Sequence, residues 1–295
     1  MFFAALACLF VGVQVYHNIY HVPVVIRFAT PGATIHHEKD DYIVGGNDTD
    51  ISEVPYQVAV ANGTEVFCGG AILTENYVIS AAHCWRDTDK TNIFVRAGSS
   101  DEKKGGTLVK VNKFLRHPNW NKKLVDYDVA ILALDTPLTF SKNIQPIDIV
   151  RSEPSPRAIA KASGWGLLQV STETPRLVIR LLFLCVTLTL TYFTPTQEDG
   201  LPAKTLQSVE LPIVDRETCR KLNKRFTITD RMICAGGQVN KDSCSGDSGG
   251  PLAVDGKLAG IISFGDGCGN RDTPGVYSNI AHPEIQSFLD AYLKA

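Results

Sequence analysis

From residue 43 onward the sequence is cut into short stretches rich in β-branched and aromatic residues, and that punctuation limits the fold more than any other feature. EVPYQVAVA, EVFCGGAILTENYVISAA, NIFVRAG, TLVKVNKFLRH, DVAILAL, QSVELPI and KLAGIISFG all suit a pleated, half-buried surface, and clusters of Gly, Pro, Asn and Asp separate them. This spacing predicts an all-β barrel or sandwich, not βαβ units. Helical spacing occurs only in the tail HPEIQSFLDAYLKA, where Ile285, Phe288, Leu289 and Leu293 share one face. A Ser/Pro-rich break, RSEPSPR at 151–157, reads as a linker between two halves.

Hydrophobic residues make up 44% of the chain and charged residues 20%, enough apolar material for a buried core. The net charge of −2 points to neither a nucleic-acid surface nor a polybasic membrane anchor. The apolar opening MFFAALACLFVGV has the length of a signal-peptide core, so a leader over about 1–16 and a secreted protein are expected. Eight cysteines fit that compartment. Cys8 falls in the leader and Cys185 in an unusual apolar stretch, which leaves Cys68, Cys84, Cys219, Cys234, Cys244 and Cys268 as an even set. They lack the short paired spacing of a zinc site, and a disulfide framework is the better reading. Asn47 and Asn62 each head an N-glycosylation triplet, in keeping with secretion.

Three segments carry chemistry. SAAHCW puts His83 at the end of a strand, DYDVAILAL puts Asp128 directly before an apolar strand, and DSCSGDSGGPL puts Ser248 in a glycine-rich turn. A serine hydroxyl is a poor nucleophile until a base takes its proton, and an imidazole titrates in the right range. The imidazole in turn needs a buried acceptor to fix its tautomer, a role open to Asp128. The turn Gly246-Asp247-Ser248 offers the N–H groups of Gly246 and Ser248 as an oxyanion hole for a tetrahedral intermediate.

SAAHC, DVAIL and GDSGGP, with IVGG upstream, SGWG at 163–166 and GVY at 275–277, resemble the chymotrypsin/trypsin family of serine peptidases. The resemblance covers residues 43–295 apart from one stretch. It implies two six-stranded antiparallel β-barrels, at about 43–150 and 151–281, with the active site between them and a C-terminal helix at about 282–294. Carried over by position, the triad is His83, Asp128 and Ser248, Ser263 supports the buried aspartate, and Asp126 is not the catalytic acid. The implied disulfides are Cys68 with Cys84, Cys219 with Cys234, and Cys244 with Cys268. Asp242 matches the base of the specificity pocket, beside Ser243, and Gly265 and Gly275 match its walls, a combination that implies cleavage after Arg or Lys. The family's zymogen logic makes 17–42 a propeptide and pairs the freed amino group of Ile43 with Asp247. Tyr42 precedes that bond, so a protease other than the enzyme itself is expected to cut it.

The implied partners are protein or peptide substrates, the activating protease and protein inhibitors, for a monomer without cofactor. The loop SSDEKKGG at 99–106 supplies only Asp101 and Glu102 as hard ligands, so no metal is expected. The alternative is a catalytically inactive relative serving as a binding module, but every essential position is filled.

The exceptional stretch is 170–197, VSTETPRLVIRLLFLCVTLTLTYFTPTQ. Its apolar part, Leu177 to Phe193, reaches the lower limit for a membrane span. A single span there would separate His83 and Asp128 from Ser248, which excludes it. A long apolar loop would expose a β-prone surface and a free cysteine. Val170-Ser171 can be encoded by GTAAGT and Gln197 by CAG, the two ends of an intron. Translated intron is therefore the favoured reading.

Overall fold

A computed structural model describes residues 45–85, 92–167, 203–238, 241–268 and 273–293, together with the strand pair 177–178 and 191–192. Alternation along the strands sends every second side chain inward, as the period of a pleated strand requires. In β-strand Ile93–Ala97, Ile93, Val95 and Ala97 are buried, and in Gln207–Val214 the buried set is Gln207, Val209, Leu211 and Ile213.

The strands in chain order are β1 (Asn47–Asp48), β2 (Gln57–Asn62), β3 (Glu65–Ile72), β4 (Tyr77–Ser80), β5 (Ile93–Ala97), β6 (Thr107–Arg116), β7 (Ala130–Leu134) and β8 (Ile159–Gly164). They continue with β9 (Leu177–Val178), β10 (Thr191–Tyr192), β11 (Gln207–Val214), β12 (Met232–Gly236), β13 (Pro251–Val254), β14 (Lys257–Phe264) and β15 (Pro274–Asn279). Strands β2-β3-β4-β7-β6-β5 close into a six-stranded antiparallel barrel. The order β11-β12-β15-β14-β13-β8 closes a second through the β11–β8 pairing, with β1 lying along β11. Closure leaves neither barrel with an unpaired edge. Both barrels belong to one unit spanning Lys39–Ala295.

Barrel one has the larger aliphatic core, with Val58, Val60, Ile72, Ile79, Val95, Ile131 and Leu132 in one cluster. The tail forms α2 (Pro283–Leu293), and its Ile285 and Leu289 are fully buried in that same cluster. Burying each contributes about 2 kcal/mol. The helix follows the last strand of barrel two but packs on barrel one, so it ties the two together.

The structure departs from the sequence reading in two respects. A second helix, α1 (Arg216–Leu222), was not expected; it is short and polar, with Cys219 as its buried residue, and Asp215 caps it by accepting from Thr218 N–H at 2.9 Å. Strands β8, β12, β13 and β15 also lay outside the expected set. IAKASG and MICAG are built largely from small residues, PLAV is short, and PGVYSN opens on Pro-Gly. Barrel closure, not local propensity, makes them strands. Most of the stretch 170–197 lies outside the described residues; within it, β9 and β10 form an antiparallel pair, Thr191 opposite Val178.

Candidate active site

Barrel one brings two of the expected residues together. After β4 the chain enters one turn of 3-10 helix, Ala82–Cys84, which carries His83 between the fully buried Ala82 and the disulfide-bonded Cys84. Asp128 stands two residues before β7 and is 1% exposed. Its Oδ2 lies 2.7 Å from His83 Nδ1, and its Oδ1 accepts the backbone N–H of His83 at 2.8 Å. The Ser263 hydroxyl also donates to Oδ2, and the Ser278 hydroxyl donates to the Asp128 carbonyl at 2.8 Å.

Ser248 comes from barrel two, in the turn before β13. Its carbonyl accepts the Gly69 N–H of β3 at 2.8 Å and lies 3.8 Å from Cys84 Sγ, one residue from His83. The approach demands glycine. Gly249 has φ +82°, and a Cβ there would run into the Ser80 hydroxyl and lie 2.7 Å from the Gly69 carbonyl. Gly246 has φ +103°, a conformation that side chains rarely adopt. Barrel two's turn therefore seats directly on barrel one's backbone.

Asp247 is also 1% exposed. Among the described residues, its Oδ1 accepts the Gly166 N–H at 2.7 Å and its Oδ2 the Cys244 N–H at 2.9 Å. Burial pushes its pKa up to about 6, against the lowering effect of these two bonds. A Cβ on Gly166 would lie 2.5 Å from the carboxylate, which explains the second glycine of SGWG. Ile43, the expected counter-charge, lies outside the described residues.

Asp242 is 4% exposed and sits against Gly275, where a Cβ would approach its Oδ1 to 3.1 Å. Next to it, the Ser243 hydroxyl and the Tyr277 hydroxyl are 3.1 Å apart. Burial, reinforced by the charge of Asp242, raises the Tyr277 phenol well above its ordinary pKa. A Cβ at Gly265 would lie 3.3 Å from the Gly267 carbonyl, a tight approach that glycine avoids. The disulfide Cys244–Cys268 ties the Asp242 segment to the segment carrying Gly265. The remaining disulfide, Cys219–Cys234, fastens α1 to β12. A cavity of about 420 Å³ is lined by Glu65, Glu102, Trp165, Leu167, Ser245 and Gly246 among others.

Cys68, His83 and Cys84 hold three potential ligand atoms within 4.8 Å of one another, but the two sulfurs are bonded and His83 Nδ1 faces Asp128. In the loop 99–106, Asp101 accepts the N–H groups of Lys103 and Lys104, and Arg96 donates to the carbonyls of Glu102 and Gly105. Backbone and guanidinium donors thus engage Asp101 Oδ1 and the main-chain carbonyls of Glu102 and Gly105.

A family model described as Trypsin matches residues 43–181 and 185–287. The chain belongs to the trypsin family of serine endopeptidases. It is 38% identical over 261 residues to a trypsin of Simulium vittatum, covering 85% of this chain and 92% of that one. Trypsin 5G1 of Aedes aegypti is 36% identical over 244 residues, 81% of each chain, and hypodermin-A of Hypoderma lineatum is 35% identical over 247 residues, 83% of this chain and 86% of that one. The family assignment accounts for the double barrel and the glycine-dependent seating of the GDSGGP turn. Sequence reasoning missed the partners that support the expected residues. Ser278 carries no signal of its own, and although Gly166 and Tyr277 lie in the SGWG and GVY motifs, only the fold reveals what each touches.

Proposed function

We propose that this serine endopeptidase is secreted and hydrolyses peptide bonds after Arg or Lys, with His83, Asp128 and Ser248 as its catalytic triad. The observation that carries the reading is the 2.7 Å contact between His83 Nδ1 and a buried Asp128, in a turn that adjoins Ser248. Nδ1–H donates to Asp128, which leaves Nε2 as the base that takes the Ser248 proton during attack on the scissile carbonyl. The imidazolium then protonates the departing amine, and water repeats the sequence on the acyl-enzyme. The N–H groups of Gly246 and Ser248 stabilise the oxyanion, each worth about 3–4 kcal/mol of barrier.

The substrate's Arg or Lys side chain would enter beside Ser243, between Gly265 and Gly275, and pair with Asp242. A buried carboxylate rewards a cation and penalises an apolar side chain that leaves it without one. Protein substrates and protein inhibitors are the partners, and the enzyme acts as a monomer.

Activation follows from Asp247. Its raised pKa signals a carboxylate whose charge burial disfavours, and the ammonium freed by cleavage between Tyr42 and Ile43 is the proposed counter-ion. β1 lies along barrel two, so the segment leading back toward Ile43 begins on the barrel that holds Asp247. Tyr42 does not suit a pocket built on Asp242, so another protease performs the cut.

Secretion is supported by the apolar opening and by three disulfides, and no described helix is long and apolar enough to cross a membrane. Asn47 and Asn62 are exposed, as acceptors of glycan must be. The stretch 170–197 we attribute to translated intron; a transcript that always retains it would contradict this. The specificity test uses enzyme with a confirmed Ile43 terminus on matched Arg, Lys and Phe peptides. Cleavage of the Arg and Lys peptides is expected, and Asp242→Ser should abolish it. Tryptic activity surviving that substitution would refute the pocket.

A further inference from the structure

Asp126 is the acid that family resemblance sets aside, yet it is 4% exposed and held from several sides. Its Oδ2 accepts from Arg231 Nη2 at 2.6 Å and its Oδ1 from Arg231 Nε at 3.3 Å, a two-point grip that fixes the guanidinium plane. Oδ1 also accepts from the Thr229 hydroxyl at 2.8 Å and from the Tyr127 N–H at 3.0 Å. Arg231 immediately precedes β12, so the pair spans from the loop before β7 of barrel one to barrel two.

The same loop contains two residues in the left-handed region, Val125 and Tyr127, each with φ 53°. β-branched and aromatic residues avoid that region unless their surroundings enforce it. Here they do. Asn121 and Asp126 exchange backbone hydrogen bonds at 3.0 and 3.1 Å, closing the loop. The Tyr127 ring stacks on His117 at 4.7 Å, Arg231 lies 5.1 Å from its centroid, and its hydroxyl donates to Glu284 of α2. The Val129 N–H then returns to the Tyr127 carbonyl at 2.7 Å, which makes Asp128 the central residue of a three-residue turn.

We propose that the Asp126–Arg231 pair positions Asp128: it holds Tyr127 in its left-handed conformation and so sets the carboxylate that orients His83. The inference rests on the triad assignment above. Without the guanidinium, Asp126 would seek solvent and Tyr127 would relax toward ordinary φ. That relaxation rotates the peptide leading into Asp128, and the bonds from the N–H and Nδ1 of His83 can no longer both keep their geometry. Asp128 touches no substrate, so the effect falls on turnover and not on binding. The titratable or charged groups around the segment include His83 at Asp128, Arg231, Glu284 and His117 around Asp126 and Tyr127, and beyond them Asp230 near Arg231 and His282 near His117. Of these only His83 exchanges a proton in the reaction. A misplaced Asp128 stabilises its imidazolium less, so the acid limb of kcat/KM should move to lower pH.

The test compares full-length chains activated at Ile43 and carrying Arg231→Ala or Arg231→Lys. The concentration of competent sites is first titrated with an active-serine phosphonate, so that unfolded protein does not count. For Arg231→Ala, kcat per titrated site should fall about tenfold with KM little changed, in the range expected for sub-ångström misplacement of a catalytic group. The acid limb should shift down, and Arg231→Lys should recover most of the loss. If Arg231→Ala yields no folded protein, Arg231→Lys alone is read, with a fall of about threefold and the same direction of shift expected. Unchanged kcat and acid limb, or a change confined to KM or to thermal stability, would overturn the inference. An inactive parent enzyme would instead sink the triad assignment.

Discussion

Asp128 and Asp247 are equally buried, each 1% exposed, but they are housed differently. Around Asp128, barrel one and its neighbours supply the His83 N–H, the His83 ring and the Ser263 hydroxyl. Around Asp247, the described donors are two backbone N–H groups, and burial still lifts its pKa to about 6. The first carboxylate is satisfied by the fold. The second has no cation beside it among the described residues, and the proposed activation would supply one as the Ile43 ammonium. Under the activation proposed above, the two halves serve different purposes: the base-and-acid half is built in, and the half carrying the nucleophile turn would be completed by a cut.

The comparison breaks most visibly at Asp128. Asp128→Asn should preserve the fold and lower kcat about ten-thousand-fold, a magnitude that belongs to trypsin-type triads generally, because the amide favours the wrong imidazole tautomer. A loss below about tenfold in steady-state assays would show that Asp128 does not orient His83.

Asp247→Asn sharpens the contrast, since its effect should reverse sign with activation. In mature enzyme the substitution removes the partner of the Ile43 ammonium, and kcat should fall about 100-fold to 1,000-fold through the oxyanion hole. In the precursor it should stabilise. The folded pKa of about 6 exceeds the ordinary 3.8, so folding favours the protonated form. Stability from this group is therefore fully present below about pH 4 and is lost as pH rises through 6, by about 3 kcal/mol in total. Denaturant melts of the precursor between pH 4 and 7 should show that decline in the parent protein and its absence in Asp247→Asn. Equal slopes would place the strain elsewhere.

His83, Asp128 and Ser248 could be proposed as a triad from sequence because each sits in a short segment whose neighbours mark it: Ala-Ala before the histidine, an apolar strand after the aspartate, glycines around the serine. The double barrel was legible from punctuation and resemblance. What escaped was whatever depends on distant partners. Asp126 and Asp128 differ locally only in which one abuts the apolar strand, and Arg231, the partner of Asp126, lies 105 residues further on. Gly164 and Gly166 stood in the sequence only as part of the SGWG motif, and the fold shows that they make room for Asp247. Strands such as IAKASG stayed hidden because small residues carry little β preference and are recruited by the close packing of the barrel wall.

The most direct measurement of the central claim is the rate at which an active-serine phosphonate labels Ser248 before and after cleavage of the Tyr42–Ile43 bond. His83 and Asp128 are in place in both forms on this account, while the oxyanion hole awaits the Ile43 ammonium. Labelling should be slow in the precursor and at least about 100-fold faster once the new terminus is confirmed, as the loss of an oxyanion donor implies. Equal labelling of the two forms would contradict it.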